Sequence, residues 1–166
     1  DDKKYSEVQQ LRNLLEGECM NLAILYASQE EKNELLEALN KYDKLSEEYY
    51  NYSDDTQLLN QLVDADFAFH YKIVKMSHNS LYKDIYYMVQ QLIHRHILQL
   101  LSSRVKNRKK AGLPRLNTEE DTHHKIYEAI IKSDKEALCK AREEMLGIIP
   151  ADGLDVFPDN ASKRSN

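Results

Sequence analysis

The sequence predicts an all-α protein, an antiparallel bundle of about six to seven helices. Good helix formers such as Leu, Glu, Lys and Ala are plentiful, whereas the 166 residues include only 3 Pro and 4 Gly, too few for the turns of a multi-stranded sheet. Apolar residues recur every three or four positions over most of the chain, the period of a helix that packs on one side. The connections between these segments are mostly short, so we expect consecutive helices to pack antiparallel.

Composition also restricts the function. The chain has 28 acidic and 23 basic residues and a formal net charge of -5, which argues against nucleic-acid binding by this segment itself. Cys19 and Cys139 fall within helical patterns and form no CxxC motif, so we expect two reduced, partly buried thiols and a cytoplasmic protein. The sequence contains no apolar signal region and no run of about 18 apolar residues, so we expect no signal peptide and no membrane contact.

Two long helices are predicted in the first third of the chain. The first runs from Tyr5 to about Ser28 and carries apolar residues at helical spacing: Val8, Leu11, Leu15, Cys19, Leu22 and Tyr26. The second begins near Gln29 and has an equivalent stripe: Leu35, Leu36, Leu39, Tyr42, Leu45 and Tyr49. It ends in the polar run 51–55, whose Asn, Ser and Asp residues suit a helix end and the next N-cap.

A third helix is predicted from about Thr56 to Met76, and a fourth from about Leu81 to Val105. Between them, Asn79 is expected to tolerate the left-handed conformation of a helix cap. The fourth helix carries apolar residues on more than one side: Ile85, Met88, Val89, Leu92, Ile93, Ile97, Leu98 and Leu101. We therefore expect it to be the central helix of the bundle.

A basic stretch from Arg104 to Arg115 follows the fourth helix. Its clustered lysines and arginines, closing with Gly112 and Pro114, predict a mobile loop. A solvated connector is the simplest interpretation of this loop. A lid over a ligand and a contact with a neighbouring domain are the alternatives.

Two shorter helices complete the predicted bundle. Residues 118–121 place acidic side chains at the positive end of the fifth helix, and the sixth begins near Asp134. We assign residues 1–149 to one domain and residues 150–166, which contain Pro and Gly and become polar, to a flexible C-terminal tail. The chain begins at Asp1 rather than Met, so we expect it to be part of a longer protein.

The segment DADFAFH contains the most informative pair of residues. Asp66 and His70 are four residues apart on the apolar side of the third helix, so both side chains are expected to face the core. A buried carboxylate and imidazole need partners, because an uncompensated buried charge costs several kcal/mol. On the fifth helix, His123 shares a stripe with Ile126 and Ile130, which makes it a better inward-facing candidate than His124. Asp66, His70 and His123 would suit Zn, Ni, Mn or Fe, although such a pair is also common as a structural contact.

Three segments in order resemble a known family. They are LRNLLEGECMNLA with Arg12 and Glu16, then DADFAFHYKIVKMSHNSL, then HHKIYEAIIKSDKEALCKAREEML. Their order and separation resemble the C-terminal effector-binding domain, called FCD, of the FadR subgroup of GntR-type bacterial transcription regulators. The family motif D-x-x-F-H matches Asp66, Phe69 and His70; S-x-N matches Ser77 and Asn79; and H-x-x-I-x-x-A-I matches His123, Ile126, Ala129 and Ile130.

The resemblance implies a metal site. Family members commonly bind a divalent cation through one Asp and three His, and they use the cation to hold a small carboxylate effector. Asp66, His70 and His123 match three of these ligands, whereas Met145 stands where the third His is expected. A thioether is a weak donor for a harder divalent ion, so the alternative is a cavity in which Asp66 and the histidines bind the ligand directly.

Further residues enter the predicted effector site through the same resemblance. Arg12 matches the first-helix arginine of the family and suits a carboxylate, although an ion pair with Glu16 is the alternative. Asn79 joins Arg12 and the metal triad as a predicted effector-binding residue. His94 and His96 lie two residues apart and point to different sides of a helix, so at most one is available as a replacement metal ligand; one packed and one solvated ring is the simplest expectation.

The expected function is effector sensing by a transcription regulator. A small organic acid, held with a divalent Zn, Ni or Mn ion, would act allosterically on a winged-helix DNA-binding domain upstream of Asp1 within a homodimer. A metal-dependent helical-bundle enzyme is one alternative, but the ExxH at Glu120–His123 lacks the second ExxH of a di-iron site, and no GxSxG, HExxH or glycine-rich phosphate loop is present. A purely structural dimerisation module is the other.

Overall fold

The computed structural model describes residues 2–145, and within this range the protein is all-helical. This confirms the predicted fold class. The described residues form seven helices: α1 (Asp2–Tyr26), α2 (Gln29–Asn51), α3 (Thr56–Met76), α4 (Ser80–Met88), α5 (Gln90–Lys110), α6 (Thr122–Ile131) and α7 (Lys135–Met145). The predicted tail, residues 150–166, lies outside the described residues, and no helix within the described range is long and apolar enough to cross a membrane.

The central helix of the bundle is α3. It packs against α1, α2, α4 and α5, and it carries ten buried residues: Leu62, Val63, Ala65, Asp66, Phe67, Phe69, His70, Ile73, Val74 and Met76. The prediction that the segment 81–105 is the central helix was therefore wrong. Nearly continuous apolar character does not distinguish the middle of a bundle from a helix such as α5, which packs against α1, α3 and α4.

The predicted fourth helix is divided into two. Val89 is both the last cap of α4, donating its backbone N–H to Ile85, and the residue from which α5 starts, accepting from Leu92 and Ile93. Its backbone (φ -99°, ψ 13°) departs from helical geometry, although neither Gly nor Pro is present there. The break is therefore not encoded by a local helix breaker.

The basic stretch is mostly helical, which corrects the prediction of a mobile loop. Helix α5 continues through Lys110, and its last turn contains Arg108, Lys109 and Lys110, where positive charge complements the helix dipole. Arg108 is buried, and its Nε donates to the carbonyl of Pro114 at 2.8 Å. This bond folds the segment after α5 back against the helix.

The helix starts are capped by short polar side chains. Ser28, Asp55 and Asp121 accept hydrogen bonds from the first turns of α2, α3 and α6. Asn79 caps α4 in the same way, by accepting from the backbone N–H of Tyr82. The left-handed residue is His78 (φ 57°), so the predicted left-handed cap at Asn79 was misplaced by one residue.

The ends of the later elements also differ from expectation. Helix α6 begins at Thr122, because residues 117–121 form a turn that is closed by Asn117 and Asp121. Cys19 is buried, as predicted, whereas Cys139 is exposed on α7 rather than partly buried. Both cysteines are free thiols.

Candidate metal and effector site

Helices α3 and α6 bring Asp66, His70 and His123 together in the core. All three side chains are buried, and one ligand atom from each lies within 4.8 Å of the other two. Asp66 and His70 approach each other because they are one helical turn apart, with Oδ1 of Asp66 2.9 Å from Nε2 of His70. His123 comes from the other side, with its Nε2 3.2 Å from Oδ2 of Asp66.

The orientation of the His123 ring fits a metal ligand. Its two nitrogens lie 3.2 Å from Asp66 and 3.3 Å from Asp121, yet neither is aligned for a hydrogen bond. A buried imidazole that has no aligned partner is costly unless something else binds it. Two imidazoles and a carboxylate form a donor set that suits Zn²⁺ and other divalent transition metals, so the residues present fit such an ion.

Asp121 and Tyr42 hold His123 in place. Oδ1 of Asp121 accepts a hydrogen bond from the backbone N–H of His123 at 2.8 Å, as the N-cap of α6. Oδ2 of Asp121 accepts from the hydroxyl of Tyr42 at 3.3 Å, and the Tyr42 ring stacks on the His123 ring with centroids 3.8 Å apart. A carboxylate behind a histidine is the usual way in which proteins orient a metal-binding imidazole.

Arg12 and Glu16 form an ion pair beside the triad. Nε of Arg12 lies 2.5 Å from Oε2 of Glu16, and both side chains are 1% exposed. The carboxylate of Glu16 also contacts Nδ1 of His70, and Nη2 of Arg12 lies 3.4 Å from Nε2 of His70. Arg12 is therefore paired with Glu16 and lies beside the triad, and its role in effector binding stays a prediction.

The buried charged groups shift one another's pKa values. Burial by itself would raise the pKa of Asp66, but His123 and His70 outweigh it and hold that pKa well below its usual range. Burial lowers the pKa of His123, and the carboxylates of Asp66 and Asp121 reverse this effect and raise it to about 9. Burial also opposes the charge of Glu16, yet Arg12 and His70 lower its pKa to about 2. The cluster is thus a compensated set of charges rather than isolated ones.

His96 extends this cluster toward α5. Its Nδ1 accepts a hydrogen bond from Nη1 of Arg12 at 3.0 Å, so its proton is on Nε2. Burial, followed by the charge of Arg12, lowers the pKa of His96 to about 3 and keeps the ring neutral. Nε2 of His96 and the hydroxyl of Tyr86 are both buried without a hydrogen-bond partner among the described residues.

The remaining predicted residues lie in three different places. His96 is packed and His94 is partly exposed: its Nδ1 donates to the carbonyl of Gln90, and its ring stacks on Phe67. Met145 is buried at the end of α7. Asn79 uses its side chain as the cap of α4, and its role in effector binding stays a prediction.

Sequence reasoning did not assign a role to Asp121 or Tyr42. The signal for Asp121 was its position two residues before His123 at a helix start, where an N-cap aspartate and a histidine ligand share one turn. Tyr42 gave no comparable signal, because it stacks on His123 from a helix that lies far from α6 along the chain.

Comparison with known proteins identifies the family. The family model of the FCD domain matches residues 7–147, a range that includes the whole polar cluster. No curated protein matches the chain. FCD domains are the C-terminal effector-binding domains of GntR-family regulators, which bind effectors, dimerise and contact DNA through an N-terminal domain. The chain therefore belongs to the FCD family and is an effector-sensing domain of the GntR type.

Proposed function

We propose that this domain senses a small organic acid through a divalent metal ion held by Asp66, His70 and His123. The observation that supports the proposal most directly is the buried triad itself, with ligand atoms within 4.8 Å and both nitrogens of His123 unaligned for hydrogen bonds. The proposed regulator belongs to the FadR subgroup, acts in the cytoplasm as a homodimer and contacts DNA through an upstream winged helix.

The ligand set determines which metal is proposed. Two nitrogen donors and one oxygen donor suit Zn, Ni or Mn, and the buried thioether of Met145 adds little affinity for these ions. Three protein ligands leave coordination positions free for water or an effector carboxylate. When bound, the metal would supply a localised positive charge that attracts this carboxylate.

Arg12 is proposed as the second anchor of the effector. Its guanidinium is 1% exposed and lies between Glu16, His70 and His96, so it is fixed before a ligand arrives. Asn79 is proposed as a weaker contributor, because its side-chain oxygen is already used in the cap of α4. The effector must bind the DNA-competent and DNA-incompetent states with different affinities, since otherwise no switching results.

Elemental analysis and thermal unfolding test the metal. We expect purified protein to carry one Zn, Ni or Mn per chain, and we expect the Tm to fall after chelation and to recover when the same ion is added. Asp66→Ala and His70→Ala are expected to lose the bound ion. His124→Ala is the matched control, because His124 is adjacent to His123 but pairs with Asp43 outside the triad.

Two results would contradict the proposal. One is protein that contains no stoichiometric metal and has a Tm that added Zn, Ni and Mn leave unchanged. The other is retention of the ion by both triad variants. Native mass spectrometry of the same sample would weigh a co-purified acid and ion together, and the mass of that acid would identify the effector class.

A further inference from the structure

A crevice lies between α1 and α5, at the edge of the buried polar cluster. Its volume is about 150 Å³. Both helices contribute to its described lining, whose members include Lys4, Tyr5, Val8, Leu92, Arg95 and His96. We call this cavity the α1–α5 crevice.

His96 has a hydrogen-bond donor that lacks an acceptor. Its Nδ1 accepts from Nη1 of Arg12 at 3.0 Å, so the proton of the neutral ring is on Nε2. The two nitrogens of an imidazole point in divergent directions, so Nε2 is turned away from Arg12, and the ring lines the crevice. The side chain is 2% exposed, and Nε2 has no hydrogen-bond partner among the described residues. Because a buried donor without an acceptor is costly, an acceptor that binds in the crevice would relieve this cost.

The charged side chains in the described lining of the crevice are both positive. Lys4 on α1 and Arg95 on α5 are exposed, and neither side chain forms an ion pair or a hydrogen bond with another residue of the described range. No acidic residue belongs to this lining. Two cations therefore border the crevice without a local counter-charge in the described part of the chain.

The rest of the named lining is largely apolar. Val8 is buried, and Leu92 is partly buried on the facing helix. The ring of Tyr5 stacks on the ring of His96 with centroids 4.2 Å apart, which covers one face of the imidazole and leaves its edge to a ligand. A strongly hydrated inorganic ion gains nothing from such walls, whereas an organic acid buries its hydrocarbon part against them.

We propose that the α1–α5 crevice binds a small organic carboxylate. The carboxylate accepts from Nε2 of His96 and lies between the cations of Lys4 and Arg95. Its hydrocarbon part packs on Val8 and Leu92, and the volume of about 150 Å³ restricts the ligand to a small acid. The proposal goes beyond the proposed function, because the crevice contains no residue of the metal triad and binding there needs no metal.

Titration of chelated, metal-free protein with sodium benzoate tests the proposal. Benzamide is the matched neutral ligand, because it carries an uncharged amide in place of the carboxylate, and sodium chloride at equal ionic strength is the reference. Calorimetry should show saturable binding of benzoate, about 10-fold or more tighter than that of benzamide. In proton–nitrogen NMR spectra of the histidine rings, the Nε2 resonance of His96 should shift along the same binding curve.

Three substitutions make the test specific to the crevice. Lys4→Gln and Arg95→Gln should each weaken benzoate binding about 3-fold, because contacts with exposed cations are individually weak, and the double variant should weaken it about 10-fold. Lys106→Gln is the matched control. Lys106 is also an exposed cation on α5 but lies outside the lining, so this variant should bind benzoate as the wild type does.

The proposal is overturned by any of three results. The first is that benzoate does not bind the folded wild-type protein saturably. The second is that benzamide binds as tightly as benzoate, which would mean that the carboxylate is not recognised. The third is wild-type affinity in the double variant, folded as judged by helical circular dichroism, which would place the binding elsewhere in the molecule.

Discussion

Two regions of this bundle contain arginines, and they differ in how the charge is balanced. Arg12 is 1% exposed and forms an ion pair with Glu16, one turn away on the same helix. Arg115 is about a quarter exposed, and its guanidinium donates to the carbonyl of Asp43 and to Oγ of Ser46. The region around Arg12 is compensated within itself and excludes water, whereas Arg115 shares its charge with solvent. The cost of breaking an arginine contact should therefore differ between the two regions.

The largest expected difference between the two regions is in stability. Glu16→Ala leaves Arg12 as an unpaired buried charge, which should lower the free energy of unfolding by about 3–5 kcal/mol. Arg115→Gln removes a side chain that is about a quarter exposed, and it should cost no more than about 1 kcal/mol. Urea unfolding of both variants measures the difference. Equal losses would contradict the distinction between a buried ion pair and a partly exposed arginine.

The acid sensitivity of folding should depend on His96, which accepts a hydrogen bond from Arg12. Its folded pKa is about 3, below the ordinary value of 6.5, so the unfolded chain binds the proton first as the pH falls. Stability from the neutral ring is therefore present above pH 6.5 and is lost as the pH falls toward 3. At pH 5 the loss amounts to about 2 kcal/mol.

His96→Gln provides the control for this pH dependence. Gln retains an acceptor for Arg12 but does not titrate, so its stability should fall less than that of the wild type between pH 7 and pH 5. Urea unfolding at the two pH values gives the comparison. Parallel losses in the two proteins would show that His96 contributes no proton uptake on unfolding.

Asp121 tests how the ring of His123 is oriented next to the compensated region. Asp121→Asn keeps an N-cap for α6 but removes the carboxylate behind His123, so metal affinity should fall about 10-fold or more. Competition with a chromogenic chelator measures the metal affinity. An unchanged affinity in Asp121→Asn would contradict the role of Asp121 in orienting His123.

The smallest expected effect is at Tyr86, within the compensated region only. Its hydroxyl is buried without a hydrogen-bond partner among the described residues, and such a group costs about 1 kcal/mol or more. Tyr86→Phe should therefore stabilise the metal-free protein by up to about 1 kcal/mol. Chemical unfolding measures this, with Tyr87→Phe on the exposed side of α4 as the control. A loss of stability in Tyr86→Phe would indicate that the hydroxyl is bound by water.

Helical periodicity predicted the part of the site that lies within single helices. The pair Asp66 and His70 follows from a spacing of one turn on the apolar face of α3, and His123 was separated from His124 by its apolar neighbours on α6. The bounds of α3 (Thr56–Met76) were also predicted, because the polar residues before and after it suit helix ends. These features depend on neighbours a few positions away.

Other features were not predictable from local composition. Composition suggested an irregular segment after residue 104, whereas α5 continues to Lys110 with Arg108 buried and bonded to Pro114. No Gly or Pro marks the position of the helix break at Val89 in the sequence. Amino-acid composition gives only a weak average preference for helix or loop, and packing against other helices can override this preference.

The sequence by itself determined the fold class, the inward-facing pair Asp66 and His70 on α3, and the choice of His123 over His124 on α6. Only the tertiary structure decided which side chains compensate the buried charges, placing Glu16 on His70 and Tyr42 on His123. The physical reason is the distance along the chain between the residues that decide each feature. Helical periodicity is fixed by neighbours within a turn or two, whereas the partner of a buried charge is decided by which helices the whole core brings together.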